Sequence, residues 1–214
     1  MPTTTATLNR RTLLAPTPLG AAAAKPVTAL IRSGATATAT SAGHGYSAGD
    51  WLLIQGADRP YYNGPFQVVA VVDPDTFTYA MEGDPGATAG GTITSQKGVG
   101  SAYLWGDGTT PAGSPASVGA LPTAIPGGEV VGRITNGAVG PTVPASMTVW
   151  ASDAGLPGTW RLARVLVGSA ANAADATPRL TLPPVKFVLV FFYGNAGQAV
   201  YVDVIGNEWT NVTG

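Results

Sequence analysis

The stretch "GPFQVVAVVDPDTFTYAME", residues 64–82, holds two runs of apolar and β-branched residues on either side of a proline turn. Pro74 presets the backbone for a turn, and the side chain of Asp73 can hydrogen-bond forward into it. Side chains alternate between the two faces of a strand. The pattern therefore predicts that Phe66, Val68, Ala70 and Val72 share one face of the first arm, and that Phe77 and Tyr79 share one face of the return arm. The stretch therefore predicts a β-hairpin.

Similar runs recur along the chain between Gly, Pro, Asn and Asp clusters, while helical periodicity is nearly absent. Residues 187–193, "FVLVFFY", are apolar throughout and predict a central strand covered on both faces. In residues 198–206, strand alternation predicts that Val200, Val202 and Val204 face inward while Tyr201 and Asp203 face out. In "TWRLARVLVG", residues 159–168, the same alternation places Arg161 and Arg164 on opposite sides. The chain as a whole is predicted to be all-β.

Four segments are predicted along the chain. Residues 1–27 form an extended N-terminal arm, and residues 28–96 a small β-barrel-like module. A Gly/Pro/Ser-rich linker or surface loop follows at 97–127, and an antiparallel, jelly-roll-like β-sandwich occupies 128–214. Ordering the arm costs about 1–2 kcal/mol per residue in backbone entropy, so some other surface must cover it.

Composition excludes several classes of function. Only 11% of the 214 residues are charged, against about 25% in typical domains, which predicts that much of the surface contacts protein. Lys and Arg form no cluster, so no nucleic-acid partner is expected. The absence of cysteine excludes disulfides and thiolate chemistry, and no apolar run is long enough to predict a membrane span.

The one histidine, His44, is predicted to belong to a structural turn. A nucleophilic site would also need a suitably placed nucleophile and an orienting carboxylate, whereas the glycines at 43, 45 and 49 indicate turn backbone. Asp73 and Asp75 form the closest carboxylate pair, and turn chemistry explains both. A calcium site that also uses Asp84 is an alternative, but the chain lacks the loop spacing for it. The chain is therefore predicted to be no enzyme and to hold no metal or cofactor.

Two glycine-rich stretches, Gly-x-Gly at 98–100 and Gly-Asp-Gly at 106–108, are predicted to be loops because neither joins a strand to a helix. Several aromatics are candidates for stacking on sugar rings or anchoring a protein interface: Tyr61, Tyr62, Tyr103, Trp105 and Trp209. The pair Arg10 and Arg11, followed by a weakly apolar run, leaves an export signal as an alternative, although prolines at 16 and 18 interrupt the run.

Residues 41–82, with a closing strand signal at 90–94, carry a characteristic spacing of turns and strands. Its steps are His44-Gly45, Gly49-Asp50, Tyr62-Asn63-Gly64-Pro65-Phe66, Thr76-Phe77-Thr78-Tyr79 and Gly90-Gly91-Thr92-Ile93-Thr94. This spacing resembles a small β module of tailed-phage virion proteins, similar to the domain named for the first catalytic cysteine half of ubiquitin-activating enzymes. The chain has neither cysteine nor a nucleotide-binding motif, so the resemblance implies a structural role and not ubiquitin chemistry.

The resemblance and the low charge together predict a phage virion structural protein, made in the host cytoplasm. The leading hypothesis is an oligomeric capsid decoration (cement) protein that stabilises the particle through its arm and β modules. The expected partners are major capsid or tail proteins and further copies of the chain. Alternatives are a tail or baseplate component and an adhesin for a receptor or host-surface glycan. The candidate interface residues are Arg10, Arg11, Leu13, Leu14, Tyr103 and Trp105.

Overall fold

A computed structural model describes residues 4–81, 86–104, 128–153, 160–182 and 187–213. Most of the first half consists of strands β1 (Thr4–Leu19), β2 (Lys25–Val27), β3 (Ala29–Ser33), β4 (Thr36–Thr40), β5 (Trp51–Ala57), β6 (Gly64–Asp73), β7 (Thr76–Ala80) and β8 (Gly91–Leu104). The second half contains β9 (Gly128–Asn136), β10 (Ser146–Ser152), β11 (Arg161–Val167), β12 (Asp175–Ala176), β13 (Arg179–Leu182), β14 (Phe187–Tyr193) and β15 (Val200–Thr213). One 3-10 turn occupies Pro60–Tyr62.

The strands form two antiparallel sheets. The smaller has the order β1-β15-β9-β12, with β13 also paired to β9. The larger runs β11-β10-β14-β8-β5-β6-β7-β4-β3, with β2 also paired to β8. The all-β prediction is confirmed.

Strand β8 belongs to both halves of the larger sheet. It pairs with β5 as far as Gly98 and with β14 from Val99 onward. The predicted boundary at 96/97 therefore falls inside a strand, and residues 97–104 are strand rather than linker. The Gly-x-Gly at 98–100 is likewise in a strand and not a loop. Its Gly100 is required by packing, because a Cβ there would lie 2.9 Å from Cδ2 of Phe191 and 3.3 Å from the Trp51 ring. Residues 105–127 lie outside the described residues.

The predicted N-terminal arm contains two strands of the chain's own sheets, β1 and β2. β1 pairs with β15 from Thr4 opposite Thr213 to Leu19 opposite Val200, and β2 pairs with β8. Leu13 and Leu19 are buried in a core that also takes residues from β9, β10, β13, β14 and β15. The chain's own β15 and this core therefore cover the buried side of β1.

The hairpin at 64–80 forms, with one difference from the predicted faces. Phe66, Val68, Phe77 and Tyr79 are all buried in the core of the N-terminal half. From Val69 to Asp73 β6 is exposed, because the pairing of β6 with β7 shifts register after Val68 and again before Asp73. Alternation alone had placed Ala70 and Val72 on the face of Phe66 and Val68, and these irregularities turn them out to solvent instead.

The predicted central strand is confirmed, since β14 lies between β10 and β8 with Phe187 to Phe192 buried. The inward valines of β15 at 200, 202 and 204 and the exposed Tyr201 are also as predicted. Asp203 differs, because it is buried. It lies opposite Arg133 of β9, whose Nε donates to its Oδ2 at 2.7 Å.

Candidate interaction surface

His44 lies in a turn that packs against the β6–β7 turn. Its side chain is 3% exposed. Its Nδ1 accepts a hydrogen bond from the backbone N–H of Tyr46 at 2.9 Å, and its Nε2 lies 3.2 Å from the carbonyl oxygen of Asp73. The ring therefore carries its proton on Nε2 and joins two turns. Both ring nitrogens are engaged, so the ring is not poised as a general base.

The flanking residues of the predicted turn motif hold the same region together. Gly45 and Gly49 have φ of 66° and 90°, a region that favours glycine. The carboxylate of Asp50 accepts the backbone N–H of Ser47 at 2.8 Å and pairs with Nζ of Lys97 at 2.6 Å. This loop is thereby tied to β8.

The Tyr-Asn-Gly-x-Phe step makes a second rigid corner. The side chain of Asn63 both accepts from and donates to the backbone of Ala57, at 2.9 and 2.8 Å. Tyr62, predicted as an exposed aromatic, is buried and donates its hydroxyl to Gly86 O at 2.8 Å. Gly64 has a φ of 138°, and the ring of Phe66 packs on Tyr79 with centroids 4.4 Å apart. This corner is structural.

The carboxylates of the β6–β7 turn serve the backbone. Asp73 Oδ1 accepts the N–H of Asp75 at 2.8 Å, and Asp75 Oδ1 accepts the N–H of Gly43 at 2.7 Å. Among the described residues, no group of three or more His, Asp or Glu side chains is placed to hold a metal ion. Asp84 lies outside them.

The predicted interface residues fall in different surroundings. Arg10 is exposed, Leu13 is buried and Leu14 is half-buried against the same core, so Leu13 offers no surface to a neighbour. Tyr103 lies in β8 opposite Val188. The side chains of Tyr103 and Arg11, and all of Trp105, lie outside what the structure describes.

Two groups of exposed apolar side chains lie on the larger sheet. One is at the end strand β11, where Leu162, Val165 and Val167 are 49%, 44% and 61% exposed. The other consists of Val69, Val71 and Val72 of β6, which β7 and β4 separate from the opposite end strand β3. Sequence patterning missed the β11 group, because alternation does not show which strand ends a sheet.

The two sheet ends differ in how their backbone edges are satisfied. At β3, the N–H of Arg32 donates to Ala87 O at 2.7 Å and the N–H of Ala89 donates to Leu30 O at 3.0 Å. Residues 87–89 thus close that edge. β11 pairs with β10 on one side, and no described residue pairs with its other side. Among the described strands, β11 is therefore an open edge strand.

A β-bulge decides which side chains of β11 share a face. Arg164 lies opposite Val149 and Leu162 opposite Trp150, so Ala163 is an extra residue in the pairing. Arg161 lies opposite Ala151 and, because of the bulge, shares a face with Arg164 rather than lying on the opposite side. The prediction from simple alternation is wrong at this point.

A third cluster, rich in aromatics, lies between the two halves of the chain. It buries Leu53, Trp160, Phe187, Leu189 and Phe191, with Trp51, Trp150 and Tyr193 half-buried against it. Leu162 lies opposite Trp150 and so extends this face onto β11. No local sequence pattern predicts this cluster, since its members come from distant strands.

Burial also affects the tyrosines of the N-terminal core. Desolvation raises the pKa of Tyr79 well above its usual range, and its hydroxyl has no hydrogen-bond partner among the described residues. Burial raises the pKa of Tyr46 as well, against the opposing effect of its hydrogen bond with Ser95. Both groups therefore hold their protons more tightly in the folded chain.

Within the described ranges, no helix has the length and apolar character needed to cross a membrane. No family model and no curated protein matches the chain. Among solved structures, it is similar to Arthrobacter globiformis T6 isomalto-dextranase complexed with panose, at 13% identity and a TM-score of 0.25. That likeness covers 88% of this chain and 36% of the dextranase chain. A TM-score this low carries no argument about fold or function.

Proposed function

We propose that the chain is a structural subunit of a tailed-phage particle, and specifically a capsid decoration subunit that works through protein–protein contacts. The observation that carries the proposal is the pair of separate exposed apolar groups on the ten-stranded sheet, one on the end strand β11 and one on β6. A subunit with two separate contact regions can bind two neighbours at once. Many copies then gain avidity from individually modest contacts.

The low charge supports the same role. Because only 11% of the residues are charged, few charged groups lose their hydration when the surface contacts another protein. The same surface also suits a tail or baseplate component. The position of the chain in the particle distinguishes that role from capsid decoration.

The test is incorporation of the tagged chain into purified phage particles, followed by electron cryo-microscopy to locate it. Deleting residues 1–27 is unsuitable, because it removes Leu13 and Leu19 from the sandwich core. The test variants are instead Leu162→Ser with Val167→Ser for the β11 group, and Val69→Ser with Val72→Ser for the β6 group. Val139→Ser is the matched control, since it is an equally exposed valine in neither group.

The β11 and β6 variants are expected to fold and to be lost from particles, while the control is retained. Density for the tagged chain on the head surface supports capsid decoration, whereas density on the tail supports a tail or baseplate component. A folded chain that is absent from particles overturns the proposal.

A second candidate is a receptor- or carbohydrate-binding adhesin, favoured by the exposed ring of Tyr61. Aromatic rings that stack on sugars must be accessible, and Tyr61 meets that condition while Tyr62 does not. Glycan-array binding that Tyr61→Ala abolishes, without loss of incorporation, would support this function. The same array without binding would remove it.

A further inference from the structure

We propose that the open edge of β11 receives an extended segment of a partner protein as an added β-strand, with acidic residues opposite the two arginines and apolar residues between them. That the occupant is a protein rests on the proposed function. The chemistry of the partner segment, alternating acidic and apolar residues, goes beyond that function.

The backbone of β11 offers hydrogen-bonding groups on its free side. Gly168 N–H donates to Ala145 O at 2.9 Å, so the groups of Gly168 point toward β10. Alternation along an antiparallel pair then directs the N–H and C=O of Val165 and Val167 outward. Strand addition to a sheet edge uses such groups for affinity and alternate side chains for specificity.

The two faces of β11 differ in chemistry. Leu162, Val165 and Val167 lie on one face, in line with Trp150 of the aromatic cluster. Arg161 and Arg164 lie on the other, and neither makes an ion pair or hydrogen bond with a described residue. No acidic residue occurs within the strand. An added strand with apolar and acidic residues in alternation would match both faces.

Charge disfavours a second copy of β11 as the occupant. The strand has two arginines and no acidic residue, so a second copy would supply no carboxylate to Arg161 or Arg164, and a parallel pair in register would place like charges side by side, which is destabilising. The chain's own residues 105–127 are also a poor match. They contain one acidic residue, Asp107, and prolines at 111, 115, 122 and 126, which lack the N–H that a ladder requires. A separate protein segment therefore fits best.

The probe is a fluorescein-labelled, acetylated and amidated peptide of sequence Val-Thr-Val-Glu-Val-Glu, titrated with the full chain at low salt and followed by fluorescence anisotropy. The control peptide has Lys in place of both Glu. Val165→Pro removes an outward N–H while leaving the pairing with β10, because proline is tolerated on the solvent side of an edge strand. Val165→Thr is its matched control, and Arg161→Glu with Arg164→Glu tests charge without changing the backbone.

The wild-type chain is expected to bind the Glu peptide saturably. Val165→Pro and the double arginine variant are expected to bind it at least tenfold more weakly, whereas Val165→Thr should bind it as the wild type does. The double variant is expected to prefer the Lys peptide. Three outcomes overturn the proposal: no saturable binding at millimolar protein, equal binding of both peptides by the wild type, or unchanged binding in both Val165→Pro and the arginine variant. Concentration-dependent dimerisation that Val165→Pro abolishes also overturns it, in favour of a second copy.

The peptide assay and the incorporation assay test the two proposals separately. If the chain binds the peptide but is absent from particles, the proposed function alone is wrong. If the chain is incorporated but does not bind the peptide, the partner-strand proposal alone is wrong.

Discussion

Replacing Leu13 by alanine tests whether the N-terminal strand belongs to the chain's own fold in solution. Leu13 is 3% exposed and packs across Gly206 of β15, where an added Cβ would lie 2.9 Å from its Cδ1. Leucine to alanine removes three buried carbons, worth about 2.4 kcal/mol at roughly 0.8 kcal/mol each. The cavity left behind adds to this, so the expected loss is about 3 kcal/mol in the free energy of unfolding.

Urea unfolding followed by circular dichroism measures the loss, at two protein concentrations a hundredfold apart. With a slope of about 1–3 kcal/mol per molar urea, the midpoint should fall by about 1 M or more. Thr12→Ala is the control, since Thr12 is an exposed neighbour on the same strand and should change the midpoint little.

A loss below about 0.5 kcal/mol for Leu13→Ala would refute the intramolecular packing of β1, because surface substitutions fall in that range. A full loss that appears only at the higher concentration would also refute it, since the strand would then be covered by another subunit. A loss that is the same at both concentrations supports the packing described above.

Four further predictions concern buried groups and local packing. Gly100→Ala should lower the free energy of unfolding by about 1–3 kcal/mol through overpacking, whereas Gly20→Ala, with nothing within 4 Å of its added Cβ, should not; thermal melts compare the two. His44→Ala leaves two backbone groups without their partner and should cost about 2–4 kcal/mol, with faster hydrogen exchange at the Tyr46 amide; unchanged exchange would contradict the hydrogen bond. The free energy of unfolding should fall as pH rises above about 10. Burial raises the pKa of Tyr46 and Tyr79 in the folded chain, so above the ordinary tyrosine pKa the unfolded chain releases these protons more readily and is favoured. Tyr79→Phe should add about 1 kcal/mol at neutral pH by removing a hydroxyl without a described partner, and should reduce the alkaline loss; an equal alkaline loss would contradict the assignment to Tyr79.

The amino-acid sequence determined the features of this protein that depend on neighbours along the chain. Proline and aspartate at 73–75 specify the turn, and period-two alternation buries Phe77 and Tyr79. The run at 187–193 is apolar at every position, which suffices to make β14 a central strand. The same local rules placed His44 in a turn.

Tertiary structure alone decided the features that join distant parts of the chain. The pairing of Thr4 with Thr213 unites the two ends, and no local pattern names that partner. The bulge at Ala163 brings two arginines to one face, because a single extra residue reverses the side-chain alternation beyond it. Gly100 is a packing requirement rather than a turn signal, since the ring of Phe191 occupies the place of its missing side chain. The open edge that carries the proposed partner strand exists only because β11 ends the sheet, and strand order is a property of the whole fold.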